Sequence, residues 1–269
     1  MEGHITRREA IKSAAVLTAA LAVGKGAGAQ AASDDTPVPT DDLARIHALL
    51  EGNQAVKWVF SGDSITHGAL HTIRGVGHIN ASLINNGTIT ADTSVAQAGS
   101  PLILQGSPKT NTASMGAAAN SELHISGITL TQTGAGGIQI TGANSLLRTS
   151  TATILGGTIT GTSGGRFSTL SATTTLTDLT LNTPTDVNTG HTLVIRGAGV
   201  TNNGLMRINP QLSAGTTLLS FQETGTLGGT GTVELTTIAS NSQITAPTGV
   251  TITHAPTHTV TGVGQINTI

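Results

Sequence analysis

The sequence has no cysteine and no tyrosine, and its aromatic content is 1% of 269 residues. Without cysteine there is no disulfide framework, no thiolate metal site and no thiol nucleophile. Large rings usually dominate a compact core, so an interior built without them must use Ile, Leu, Val and Ala in thin layers, which disfavours a thick α/β sandwich. Charge is equally scarce: charged residues are 10% and the formal net charge is −2. So neutral a chain has no basic field to hold a phosphate backbone, and nucleic acid is not an expected partner. Disorder goes with low hydrophobicity and high net charge, whereas mean hydropathy is positive here.

What is present begins with a targeting pattern. Thr6-Arg7-Arg8-Glu9-Ala10-Ile11-Lys12 precedes an apolar run from Ala14 to Val23 and a small-residue stretch ending at Ala31. Charged, apolar and small segments in that order predict a cleaved signal peptide over residues 1–31. The apolar run is shorter than the roughly 20 residues that span a bilayer, so the mature chain is expected to have no transmembrane segment. The Arg7-Arg8 pair resembles the twin-arginine export signal, with Ala10 where that pattern usually carries Phe; an ordinary secretory signal is the alternative. The expected location is periplasmic, cell-surface or extracellular in a bacterium.

Composition then changes near residue 72. Residues 1–72 hold eight of the 14 acids and six of the 12 bases, and the rest of the chain holds six of each. Residues 32–42 read as a Pro/Asp/Thr linker. Within 43–71, Leu43, Ile46, Leu49 and Leu50 fit a short helix capped by Thr40-Asp41-Asp42. An apolar strand, Val56-Lys57-Trp58-Val59-Phe60, follows and runs into Ser61-Gly62-Asp63-Ser64-Ile65-Thr66-His67-Gly68.

From residue 72 to 269 the apolar period is two, in short pieces closed by Gly or Asn. Leu123/Ile125, Ile128/Leu130, Ile138/Ile140, Leu179/Leu181, Leu193/Ile195, Val233/Leu235 and Val250/Ile252 each place two apolar side chains on one strand face. Strands this short cannot bury a face alone and must stack. Imperfect repeats agree: Asn85-Asn86-Gly87 recurs as Asn202-Asn203-Gly204, and Gly156-Gly157-Thr158 as Gly228-Gly229-Thr230. A shift of 187 residues lays residues 71–80 over 258–267 with seven of ten identical. The expected fold is all-β, a right-handed parallel β-helix with rungs of about 20 residues. A sandwich or barrel of short strands and a low-complexity disordered chain are the alternatives.

Two resemblances follow from these residues. Trp58 to Gly68 resembles the first block of the SGNH (GDSL-type) esterases and lipases. That resemblance implies Ser64 as nucleophile with its N–H in the oxyanion hole, Gly62 as the turn residue and Asp63 as the residue that fixes the loop. It covers only about residues 40–71, and the family's Asp-x-x-His and Gly-x-Asn-Asp elements have no counterpart, since no His has Asp three positions before it and no Asn precedes Asp. A serine hydroxyl without a base is a weak nucleophile. Ser64 is therefore expected to be a remnant, with a secreted ester hydrolase as the alternative reading.

From His71 onward, phrases such as Leu83-Ile-Asn-Asn-Gly-Thr-Ile-Thr-Ala91 resemble the passenger-type β-helices of bacterial secreted and autotransporter proteins. That resemblance implies a surface structure or adhesin. Its implied partners are glycans, other surface β-helix chains, or copies of itself joined through open solenoid ends. Asp92, Asp178 and Asp186 are scattered along this part, which disfavours glycosidase chemistry, since that needs paired carboxylates. Histidines spaced singly give no metal motif, and no cofactor is expected.

Overall fold

The computed structural model describes residues 72–95, 99–236 and 241–268; the signal peptide, linker and nucleophile segment expected in residues 1–71 lie outside the described residues. Twenty-three strands join into one continuous sheet in which every pairing is parallel. The chain is a parallel β-solenoid, as its period-two pattern predicts.

Each turn lays down three strands, so the sheet rises as three columns. Column one starts with Thr72–Gly75, Thr88–Ala91, Ser114–Ala117, Gly137–Thr141 and Thr158–Thr162, and ends with Gly225–Gly228 and Ile252–His254. Column two starts with Gly77–Ile79, Leu102–Leu104 and Glu122–Ser126, and ends with Thr185–Val187, Leu205–Ile208, Thr232–Thr236 and Thr259–Val263. Column three starts with Leu83–Asn85, Lys109–Asn111 and Thr129–Gln132, and ends with Thr217–Phe221, Ser242–Ala246 and Gln265–Thr268. Three long strands, Leu146–Leu155, Arg166–Asn182 and Thr192–Asn202, bend through the corners and serve two or three columns each.

Alternate side chains point inward, and in-register pairing stacks them. Column one carries Ile73, Ile89, Met115, Ile138, Ile159 and Leu181 one above another. Column two carries Leu102, Leu123, Leu147, Phe167, Thr185, Met206, Val233 and Val260. Column three carries Leu130, Ile154, Leu176, Ile195 and Phe221. All but the terminal Ile73 and Val260, and the small Thr185, belong to one buried hydrophobic cluster. A narrow interior filled by aliphatic stacks needs no large rings, which accounts for their near absence.

The expected short strands are only part of what forms. The long ones arise because single left-handed residues turn the corner without breaking the pairing: Thr151 (φ 48°), Ala172 (φ 45°), Asp178 (φ 51°) and Gly197 (φ 67°). Register shifts fall at Thr151 and Asp178, where the bend is absorbed. Only Gly adopts this conformation freely, so a sequence reader looking for Gly or Asn misses the corners at Thr151 and Ala172.

The repeats are real but not equivalent by rung. Residues 72–75 lie in column one, whereas their counterparts 259–262 lie in column two. Asn85 closes column three and Asn202 closes column one; Gly156-Gly157 precedes column one and Gly228-Gly229 precedes column two. All three repeats are offset by one column, so the recurring unit is a strand with its corner, and the three columns are interchangeable environments.

Candidate functional site

The charges that look scattered in sequence meet across rungs. Asp186 receives Arg207 through two bonds of 2.8 and 3.1 Å and Arg166 through one of 2.5 Å. Asp92 pairs with Arg74, Glu122 with Arg148 at 3.5 Å and Glu223 with Arg196 at 3.3 Å. Asp178 accepts the Ala198 N–H at 2.6 Å. Burial alone would raise the Asp92 carboxyl, but the Ser94 hydroxyl and N–H, then Arg74, outweigh it and hold the pKa below the usual value. Lys109 donates to three backbone carbonyls. Every cation of the described residues is thus engaged within the fold, and none forms a patch for a polyanion.

Histidine side chains form three ordered sets of contacts. His124 Nε2 lies 2.9 Å from Ser150 Oγ, and His191 Nδ1 lies 2.8 Å from Thr169 Oγ1. Burial lowers the pKa of both, with Arg148 adding to the effect at His124 and a hydrogen bond with Thr169 opposing it at His191. The His124–Ser150 contact has the distance of a nucleophile and its base, but among the described residues no acid holds the other ring nitrogen as the third member that orients a catalytic imidazole.

The third is a chain of side chains near the C-terminal end. Asn202 Nδ2 lies 3.1 Å from His258 Nε2, and His258 Nδ1 lies 3.2 Å from His254 Nε2. The Asn202 amide is oriented by the backbone: its Oδ1 accepts the Gly204 N–H and its Nδ2 donates to Thr232 O, each at 3.3 Å. Asn85 is held in the same way by the Gly87 N–H and Ser114 O, and donates on to Asn111 Oδ1 at 2.7 Å. His258, two rungs on from Asn202, therefore supplies the contact that the next rung's Asn111 supplies to Asn85. Its Nε2 must accept from Asn202, so Nδ1 carries the proton and donates to His254. Burial, then His254, lowers its pKa. A metal-bound imidazole needs its second nitrogen as a donor, the opposite of what Asn202 imposes. Among the described residues no group of three or more His, Asp or Glu could hold a metal ion.

The outward surface of column one carries a notch of about 390 Å³ beside Thr90, Ser114, Gly116, Gln139 and Thr141. Thr90, Gly116, Gln139 and Thr160 form one outward row. A Cβ on Gly116 would stand 1.7 Å from Gln139 O, so no side chain fits there and the row opens between Thr90 and Gln139. The notch offers hydroxyls and an amide beside an apolar wall at Ala118 and Ala119, and no charge. Sequence reasoning missed it because Gly116 reads as a turn glycine, whereas it sits mid-strand against the neighbouring backbone.

Ser64, Gly62 and Asp63 lie outside the described residues, and no described element bears on them. No helix among the described residues is long and apolar enough to cross a membrane. No protein-family model matches the chain, and neither the curated proteins nor the solved structures contain a match to it. What the described residues define is a class by architecture, a parallel β-solenoid whose Lys and Arg side chains are engaged within the fold.

Proposed function

We propose that this chain is an exported structural or adhesin-like β-solenoid that presents outward ladders of hydroxyl and amide groups to uncharged, hydroxyl-rich ligands such as neutral glycans. The observation that carries the reading is the outward row of column one. Thr72, Thr88, Ser114, Gly137, Thr158, Thr180 and Thr201 stand at matched positions, with a hydroxyl at every one but Gly137, and the uncharged notch at Gly116 interrupts the adjoining row. Backbone spacing in a parallel sheet repeats such groups every ~4.8 Å, a periodic surface suited to a polymer. The Arg7-Arg8 signal pattern supports export.

The test is retention of neutral polysaccharides by the immobilised protein. Thr90→Glu and Gln139→Glu, both on the outward face, should abolish retention while leaving the far-ultraviolet circular dichroism spectrum unchanged. No retention by the parent chain, or equal retention by both variants, would overturn the glycan reading. The Gly62-Asp63-Ser64 motif after the apolar stretch Val56–Phe60 of the sequence favours a second reading, an SGNH-type ester hydrolase, whose test is given in the Discussion.

A further inference from the structure

We propose that a second notch on the outward surface of column one, at Asp178, is a subsite for the ammonium group of an amino sugar whose amine is free. This deepens the glycan reading above and rests on it.

The notch begins with an irregularity of the backbone. Thr177 pairs with Arg196 and Leu179 with Val200, so Asp178 alone faces the three residues Gly197, Ala198 and Gly199. A bulge of this kind re-aims the side chains at it. Asp178 holds φ 51° there, a left-handed conformation that a residue with a side chain adopts only at a cost. Its carboxylate is fixed from one side, since Oδ1 accepts the Ala198 N–H at 2.6 Å. A Cβ on Gly197 would stand 2.4 Å from the same oxygen, so glycine at 197 leaves the room that the carboxylate occupies.

Beside the carboxylate lies a cavity of about 250 Å³ whose lining includes Thr180, Gly199, Thr201 and Thr226. Gly199 leaves it open: a Cβ there would stand 2.1 Å from Thr226 O, as one on Gly116 would strike Gln139 O. Thr201 and Thr226 are exposed and Thr180 is half-buried. Their three hydroxyls have no hydrogen-bond partner among the described residues. The described rungs Thr158–Thr162 and Ile252–His254 bound the notch on its two sides, so its walls depend on no further rung.

Charge says what the notch takes. Asp92, Glu122, Asp186 and Glu223 each have an arginine partner, whereas Asp178 has none among the described residues. The nearby Arg196 is held by Glu223, which also accepts the Gly197 N–H at 2.8 Å. Two carboxylates and one guanidinium therefore leave a negative charge uncompensated beside the notch. A hard metal ion gathers many oxygen ligands at once, and here one carboxylate stands among hydroxyls. A lysine side chain would bring its ammonium on a bare methylene stem and leave three hydroxyls unpartnered. An amino sugar carries hydroxyls on the carbons around its amine and satisfies both, with a charge-assisted bond to the carboxylate roughly twice as strong as a neutral one.

The uncharged Gly116 notch lies on the same column four rungs away, roughly 19 Å along the axis. A hydroxyl-rich polymer laid on this face meets a neutral subsite at one notch and an ammonium subsite at the other. The pair selects a polymer in which free-amine units occur among neutral ones.

The probes are glucosamine oligosaccharides with free amines, the same oligosaccharides fully N-acetylated, and neutral glucose oligosaccharides of equal length. Titration calorimetry of the full chain at low salt should show the free-amine form binding about tenfold more tightly than the acetylated form. High salt should shrink that difference. The Gly197 and Ala198 amide resonances of the parent should shift on titration with the free-amine form, a readout that needs no variant. Asp178→Asn keeps an acceptor for the Ala198 N–H and tolerates the left-handed backbone; it should remove the preference and leave neutral binding unchanged. Glu234→Gln, which removes a carboxylate of column two, should leave the preference intact.

Equal affinity for the amine and acetylated forms, a preference that survives Asp178→Asn, or an equal loss in Glu234→Gln would each overturn the proposal. Neutral binding without an amine preference removes this inference alone. Amine binding that depends on Asp178, with no retention of neutral polymers, removes only the neutral-glycan reading.

Discussion

Lys109 provides a sharp test of the interior. It points inward in column three between Leu83 and Leu130 and is 2% exposed. Its ammonium donates to Ala81 O at 3.1 Å and to Gln105 O and Ser107 O at 2.8 Å. Burial pushes its pKa down to about 8 from 10.5. Between those values the unfolded chain keeps a proton that the folded chain has released, so stability must rise with pH across the window. At 1.36 kcal/mol per pKa unit the gain by pH 10.5 is about 3 kcal/mol. The chain has no Tyr or Cys, and Lys109 is the only lysine of the described residues. Urea unfolding followed by circular dichroism at four pH values from 7.5 to 10.5 should show a rising midpoint at constant slope. Lys109→Met should abolish the rise and cost about 2 kcal/mol at pH 7.5, because three carbonyls lose their donor. A flat or falling parent curve would show that the carbonyls hold the ammonium as firmly as water does, and would refute the reasoning.

Acid should act in the opposite direction. His124, His191 and His258 all have lowered pKa values through burial, so below pH 6.5 the unfolded chain takes up protons first and stability is lost as pH falls toward the folded values. An unchanged urea midpoint from pH 7 to 5 would contradict this; the lowered Asp92 carboxyl adds a further loss below about 3.8. Thr151→Asn should raise stability by about 0.5 to 1 kcal/mol, since exposed Thr151 holds φ 48° and Asn tolerates that region better; a lower melting temperature would count against the corner described here. For the esterase reading, parent and Ser64→Ala proteins should hydrolyse a short-chain aryl ester equally, and a Ser64-dependent rate well above background would replace the structural reading with catalysis.

The architecture was legible because period-two alternation in short pieces leaves few ways to bury a strand face. Leu123/Ile125, Ile138/Ile140 and Val233/Leu235 are all buried as their spacing requires. Val250 and Ile252 are only partly buried, since no rung follows to cover them among the described residues. What was not legible depends on separation along the chain. Arg166, Asp186 and Arg207 lie about one rung apart, and nothing local joins them. His258 looked isolated because its partner Asn202 is 56 residues away. The column offset of the repeats was hidden for a similar reason. The recurring unit reads the same in any column, so sequence similarity fixes strand and corner but not the face on which they lie.

The scarcity of charge has its own physical cause, and it yields a last prediction. In a parallel solenoid, outward residues at matched positions stack one rung apart, and like charges directly opposite on neighbouring strands are destabilising. The outward row of column two runs His124, Arg148, Ser168, Asp186, Arg207, Glu234, Thr261, with no two like formal charges adjacent. Arg207→Glu would set three carboxylates in succession at 186, 207 and 234 and remove the two-bonded partner of Asp186. Each like-charge contact costs roughly 0.2 to 1 kcal/mol, and the lost charge-assisted bonds add a similar amount after discount for the half-exposed arginine. The expected loss is about 2 kcal/mol at low ionic strength, with Arg207→Gln losing less. Salt should recover part of the difference between the two variants, because the repulsive share is screened over ~10 Å at 0.1 M. Urea midpoints of parent, Gln and Glu proteins at low and high salt measure it. Equal midpoints for the Gln and Glu variants at low salt would mean that stacked charges do not interact along the row, and alternation of sign would then not explain why this surface carries so few of them.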